Sequence, residues 1–452
     1  MTSENPAFDS GDQAWVLIST ALVFIMTPAL GLFYSGLTDK KNSMAMMQIV
    51  MINFAVIAIQ WALFGYSLAL SDMSNSTFIG NLQYGALLTT LNIPNKMAPT
   101  IPASLFSLYQ LMFAGITPGL YLGATAGRMK MFPTMVFVFL WSTIVYDPVV
   151  YWVWASNGWL HNLGILDYAG GSVVHVSAGV TALVLAMMVG KRQDFDDVPL
   201  VNHSPPWIYI GTAFLWFGWM GFNGGSSVSS NARAVGAVYA SNLAASAGGL
   251  VWMGLETVYN NKKFSSIAFC TGAVAGLATI TPGSGFVQPG FGIIFGGLAG
   301  VVCFFAARFF KSCGIDDTLD VAGVHGVGGT LGMLLTGIFA QTTVTDLDVS
   351  NSTSGWIDKV WIQVPVQLAA IAAVGAWSAI WSILFISIMN HIPLLRLRAS
   401  PQAELSGLDD AEVGEWSSQY LLDPEGIDRV VHPDIEDALP PPNKDGSSLA
   451  LQ

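Results

Sequence analysis

Along the first 395 positions, apolar stretches of about 20 residues alternate with short polar segments. Each is about long enough to cross a ~30 Å hydrocarbon core as a helix rising ~1.5 Å per residue. The pattern predicts eleven such helices, from Trp15 to Gly36, Ala45 to Leu70, Ala103 to Ala126, Pro133 to Trp154, Ala169 to Gly190, Trp207 to Gly225, Val235 to Tyr259, Ile267 to Pro282, Gly290 to Phe310, Val321 to Ala340 and Val360 to Ile392. The expected fold class is an all-α polytopic membrane protein. After Arg398 the pattern stops, and Asp, Glu, Pro and Ser dominate as far as Pro440-Pro441-Pro442 and a polar terminus. The expected domains are a transmembrane unit over 1–395 and an acidic, partly disordered tail over 396–452.

A short echo runs through the apolar part. Leu166-Asp167-Tyr168-Ala169-Gly170 precedes His175, and Leu319-Asp320-Val321-Ala322-Gly323 precedes His325. Five crossings separate the copies, so they run antiparallel, and inverted repeats of this kind place a transport site at their interface near the midplane. At ~1.5 Å per residue His175 lies about 12 Å beyond Asp167, and His325 about 8 Å beyond Asp320. The imidazoles can meet only if at least one aspartate is buried.

Composition agrees with a lipid setting: 53% of residues are hydrophobic and only 10% charged. The net charge of −12 argues against nucleic-acid binding. Eleven crossings put Lys40, Lys41, Arg128, Lys130, Lys191, Arg192, Lys262, Lys263, Arg308, Lys311, Arg396 and Arg398 on one face, and only Lys96, Arg233 and Lys359 on the other. The first face is therefore expected to be cytoplasmic, with the amino terminus outside and the carboxyl terminus inside. The sequons at Asn75 and Asn351 both fall in outer loops and are glycosylation candidates. Asn202 falls in an inner loop before two prolines and reads as a chance match. The acidic start lacks a cleaved-signal pattern, so the first helix is expected to do the targeting. Cys270, Cys303 and Cys313 offer neither a disulfide framework nor metal-ligand spacing, and no metal or cofactor is expected.

Ionisable side chains inside membrane helices are costly and are functional candidates by default. His175 and His325 are the deepest, each among glycines and other small residues that permit close helix approach. Two readings stand: separate histidines, each bonding a neighbouring helix, or a hydrogen-bonded pair lining a pore. Asp167 at the outer end of its helix reads as an N-cap, alone or with a second role in drawing cations to the entrance. Asp320 reads as its inner counterpart, chiefly structural. Among Tyr109, Phe113, Trp154, Trp216, Phe217, Trp219 and Phe222, some rings are packing or interface anchors, while others can hold a cation over their faces.

The residues resemble the ammonium transporter (Amt/Mep/Rh) family from the first helix to about Tyr420. The resemblance rests on Asp167 through His175 continuing to Gly190-Lys191-Arg192, on Phe217-Gly218-Trp219-Met220-Gly221-Phe222-Asn223-Gly224-Gly225-Ser226, on Asp320 through Gly329, and on Gly407-Leu408-Asp409 through Gly414-Glu415. It implies two inverted five-helix repeats plus a final long helix, assembled as a homotrimer with one pore per subunit. Phe113, Trp154 and Ser226 would match the outer ammonium recruitment site, with Asp167 as its buried acid. Phe113 and Phe222 would match a stacked gate, and His175 with His325 a twin-histidine pore. Trp154 carries one extra residue between it and Asp167. Histidine at position 175 resembles the high-affinity fungal permeases more than relatives with glutamate there. The implied activity is electrogenic uptake of ammonium, and of methylammonium, across a plasma membrane, with no enzymatic step. Family members also signal nitrogen status and are regulated through tail phosphorylation; Trp416-Ser417-Ser418-Gln419 departs from the family's tail, as Asp147-Pro148 does from its fourth helix. Two other classes compete: a non-conducting ammonium sensor, and a membrane haem protein, because paired intramembrane histidines also hold haem.

Overall fold

A computed structural model describes residues 8–196, 200–259, 262–347 and 353–416. Every apolar stretch named above is helical in it: α1 (Ser10–Leu37), α2 (Lys40–Leu70), α3 (Ala103–Thr125), α4 (Met131–Leu163), α5 (Gly171–Val189), α6 (Pro205–Gly224), α7 (Ala232–Tyr259), α8 (Ser266–Ile280), α9 (Phe291–Ser312), α10 (Ala322–Phe339) and α11 (Gln363–His391). Among the described residues nine of these are long and apolar enough to span a bilayer unaided; α6, rich in glycine and tryptophan, and the shorter α8 are the exceptions. The one sheet among these residues is a small antiparallel hairpin, Pro94–Asn95 with Ala98–Pro102, in the α2–α3 loop, and a single isolated bridge joins Met129 to Arg398.

Lipid offers no hydrophobic drive between helices, so close backbone approach through small residues takes its place. A side chain at Gly211 of α6 would put Cβ 2.7 Å from the Phe33 nitrogen of α1, and one at Gly248 of α7 would put it 3.1 Å from Gly276 Cα of α8. Both helix pairs therefore pack almost backbone to backbone.

Contacts between loops sort them onto two ends. At one end, buried Arg128 pairs with Asp316 at 2.8 Å, Arg192 N–H donates to the same carboxylate, and Arg398 donates to the carbonyls of Val189 and Lys191. At the other, Asn157 donates to the Ser74 carbonyl, Asp9 N–H to that of Thr100, and Ser230 N–H to Asp12. Loops that alternate in sequence thus share an end, as helices that each run from one end to the other require.

The first part of the tail is docked at the basic end. Asp409 accepts from Met44 N at 3.1 Å and Ala45 N at 2.8 Å, at the start of α2, and Glu412 accepts from Met131 N at the start of α4. These carboxylates cap otherwise orphaned helix N–H groups. The Asn351 sequon and the tail beyond Trp416 lie outside the described residues.

Candidate functional site

His175 and His325 are 1% and 3% exposed, and they meet: Nδ1 to Nδ1 is 3.2 Å, with the rings 24° from coplanar. The paired reading holds, and the two-separate-histidines reading does not. One Nδ1 must donate and the other accept, so two neutral rings in opposite tautomers satisfy the contact. His175 Nε2 is buried with no protein partner. It belongs to a small lumen of about 20 Å³ lined by His325, Trp219, Phe222, Val174, Tyr34 and other apolar side chains. That space suits one water-sized molecule.

Each histidine sits in a locally widened helical turn, Gly171–Val176 in α5 and Ala322–Val327 just at the start of α10. Gly170, at φ 107°, turns the chain into the first. The glycine four residues after His325 lets the helices close: a Cβ on Gly329 would lie 2.8 Å from His175 Cβ.

Outward from the pair the rings form a column. Trp219 stacks 5.7 Å from the His175 imidazole, held by its Nε1–H on Thr281, and Phe222 lies 6.3 Å from that imidazole. Phe113 covers Phe222 at 4.2 Å between ring centroids. Trp154 stands edge-on to Phe113 at 6.0 Å, and Tyr109 at 5.0 Å. The Tyr109 hydroxyl reaches Ser226 Oγ at 3.3 Å, and Ser226 donates to the Phe222 carbonyl. The structure thus collects Phe113, Trp154, Ser226, Phe222, His175 and His325. It leaves out Trp216, which bonds Asn242 on α7, and Phe217, which is 48% exposed on the molecule's outer surface.

Asp167 is buried, as the meeting of the imidazoles requires, and its carboxylate is fully occupied. It accepts from the N–H groups of Gly170, Gly171, Ser172 and Val173 and from Ser172 Oγ, while its own carbonyl receives Trp154 Nε1–H at 2.9 Å. That last bond seats Trp154 in the column despite the extra residue before Asp167.

At the other end a cavity of about 430 Å³ opens from His325 past Asp316, Asp317 and Asp320. Here the structure corrects the sequence echo. The side chain that caps the start of α10 is Asp317, accepting from Val321 N at 3.0 Å and Ala322 N at 2.7 Å. Asp320 instead occupies the left-handed region at φ 56°, with no capping bond. The matching residues are therefore Asp167 and Asp317, each eight positions before its histidine, so both imidazoles lie about 12 Å beyond their caps. Burial, with Asp320 beside it, pushes the Asp317 carboxyl up to about 7. Burial also raises Asp320 to about 6, although Lys311 and Arg308 pull it down.

Comparison with known proteins gives this geometry a context. Residues 14–418 match the model of the Ammonium Transporter Family. The chain is 46% identical over 418 residues to "Ammonium transporter 1" of Schizosaccharomyces pombe, covering 92% of this chain and 84% of that one. It is 41% identical over 435 residues to "Ammonium transporter MEP2" of Saccharomyces cerevisiae, covering 94% and 87%. The crystal structure of Candida albicans Mep2 superposes with a TM-score of 0.85 at 41% identity over 94% of each chain. With nearly its whole described length matched in sequence and in fold, this chain belongs to the ammonium transporter family.

Proposed function

We infer that the chain carries ammonium across a membrane, and that the observation carrying this reading is the hydrogen-bonded His175–His325 pair in line with the Phe113–Phe222 stack and the inner cavity. Ammonium is held at the outer mouth against Trp154 and Phe113, where a desolvated cation over an aromatic face gains about 2 kcal/mol, and by hydrogen bonding to Ser226. Asp167 acts there as a positioning residue, through Trp154 and the start of α5. A bare cation has no counter-charge in the apolar lumen, so it sheds its proton at the wet mouth and passes as ammonia. The phenyl rings part to admit it. His175 Nε2 then offers it a hydrogen-bond partner, and His325 passes it to the inner cavity, where it regains a proton. The proton crosses separately, so the net transport is electrogenic. An alkali ion has no neutral form and is refused.

The eleven helices fit eleven crossings, with two inverted five-helix halves ending at α10 and α11 following them. The equal Asp-to-His spacing supports that division. The basic end would be cytoplasmic, at a plasma membrane, and the docked tail would regulate the pore. A homotrimer follows from the family resemblance alone. The haem alternative meets a geometric objection: two nitrogens bound to one metal at ~2 Å each on opposite sides stand ~4 Å apart, and these are hydrogen-bonded at 3.2 Å. A non-conducting sensor is separated by function. Replacing His325 by Ala should abolish ammonium uptake or convert the pore to unselective cation leak. Unchanged, selective uptake in that variant would remove the pair from the mechanism.

A further inference from the structure

Asp147 has no part in the machinery above, yet it is fully buried inside α4. Its Oδ2 accepts from Nε2 of Gln60, on α2, at 2.7 Å, and the other Nε2 proton goes to Thr143 Oγ1 at 3.3 Å. With both amide protons used, Asp147 Oδ1 and Gln60 Oε1 are left buried without partners. If the carboxyl were ionised both would be acceptors only. No ion pair among the described residues involves it. A carboxylate in an apolar interior with no cation is far costlier than its neutral acid. One proton on Oδ1 makes that oxygen a donor, and a donor is what the buried Oε1 lacks.

The backbone supplies a second observation. Among the described membrane helices the winding widens to i→i+5 in four places: two hold the histidines, and the others are Trp61–Gly65 and Ser142–Tyr146. These last two directly adjoin Gln60 and Asp147. Widened turns re-aim side chains and recur at functional sites. Gly65 adds a notch for the amide, since a Cβ there would fall 2.5 Å from Gln60 Oε1 and 2.8 Å from Nε2. Seven residues beyond Asp147, on the same face of α4, comes Trp154. Between them Tyr151 and Trp152 tie the helix to the carbonyls of Ser76 and Phe78 in the outer loop.

We propose that Asp147 and Gln60 form a second proton-holding pair of the membrane domain, a neutral carboxylic acid closed in a reciprocal hydrogen-bonded ring with a carboxamide, which locks α2 to α4 and positions Trp154 over Phe113. The protonation stands on its own; the positioning rests on the transport reading. Asp147→Asn preserves the ring, because an amide nitrogen replaces the acid's hydroxyl as donor. Asp147→Ala breaks it.

Infrared spectra of the full chain in lipid vesicles near neutral pH, native minus Asp147→Asn, test the first half. The expected difference is one protonated-carboxyl C=O band that downshifts in deuterium oxide. Its absence means that the carboxyl is ionised and overturns the proposal, whatever transport does. Methylammonium uptake tests the second half. Asp147→Asn should keep native uptake within about twofold, whereas Asp147→Ala, or Gln60→Ala if that variant does not fold, should raise KM more than it lowers the maximal rate. Lost uptake in Asp147→Asn would overturn the positioning role, as would a native KM in the alanine variant.

Discussion

Gly329→Ala is a small perturbation aimed at the separation of the two histidines. The new Cβ would lie 2.8 Å from His175 Cβ, with the Gly171 carbonyl at 2.9 Å and Val176 N at 3.1 Å closing off other directions. Ordinary contact begins near 3.4 Å, so α5 and α10 have to part by about 0.6 Å at this point. Gly329 lies one turn beyond His325 on α10, so the displacement moves His175 away from its partner. The Nδ1–Nδ1 distance of 3.2 Å becomes about 3.8 Å, past hydrogen-bond range. Overpacking of this size costs about 1–3 kcal/mol of stability, and a misplacement of a reacting group by a fraction of an ångström costs about tenfold in rate. The assay is initial-rate methylammonium uptake per folded protein, with thermal unfolding in detergent alongside. Gly254→Ala on α7, where a Cβ meets nothing within 4 Å, is the control and should be neutral or slightly stabilising. Uptake by Gly329→Ala within about twofold of native, with native stability, would refute the argument that close approach at this glycine sets the pair.

Other predictions address the inner end and the surface. Asp317→Ala orphans two buried N–H groups at about 1–3 kcal/mol each, whereas Asp320→Asn, which tolerates the left-handed region, should shift stability by less than about 0.5 kcal/mol; thermal unfolding ranks them, and the reverse order would restore Asp320 as the cap. Burial raises Asp409 to about 6 from 3.8, so the docked tail holds that proton more tightly than the free tail. The resulting stabilisation of docking is complete below the lower value and is lost as pH rises through about 6. Protease protection of residues 400–413 should therefore increase on acidification through that window and lose its pH dependence in Asp409→Asn. Asn75 is exposed in the α2–α3 loop, at the end opposite the basic one, so Asn75→Gln should remove a glycosidase-sensitive mobility shift in a glycosylating host; an unchanged shift would exclude that site.

The helices were legible because lipid demands long, internally bonded apolar segments, and for all but α6 and α8 that demand is written in length and hydropathy. The histidine pair was legible for the complementary reason, that an ionisable group in such a segment stands out. The echo misled at one position. Leu-Asp-x-Ala-Gly matched letters at Asp320, but the conserved physical quantity is the rise from cap to histidine, which selects Asp317. Trp154 keeps its place because the Asp167 carbonyl holds the indole, a contact that residue spacing alone does not reveal. The Gln60–Asp147 contact spans 87 positions, and nothing in local pattern pairs those residues. Asp409 was visible as part of a motif, but its seat at the start of α2 depends on how the tail folds back.

On the proposed mechanism ammonium moves through this chain with net charge and alkali ions do not. Purified protein in sealed vesicles, challenged with an ammonium gradient on a capacitive sensor, measures this directly. The expected result is a protein-dependent transient current for ammonium and methylammonium, absent for potassium and sodium and absent for ammonium in the His325→Ala variant or replaced there by unselective leak. No ammonium current from native protein that binds ammonium, or an equal potassium current, would contradict it.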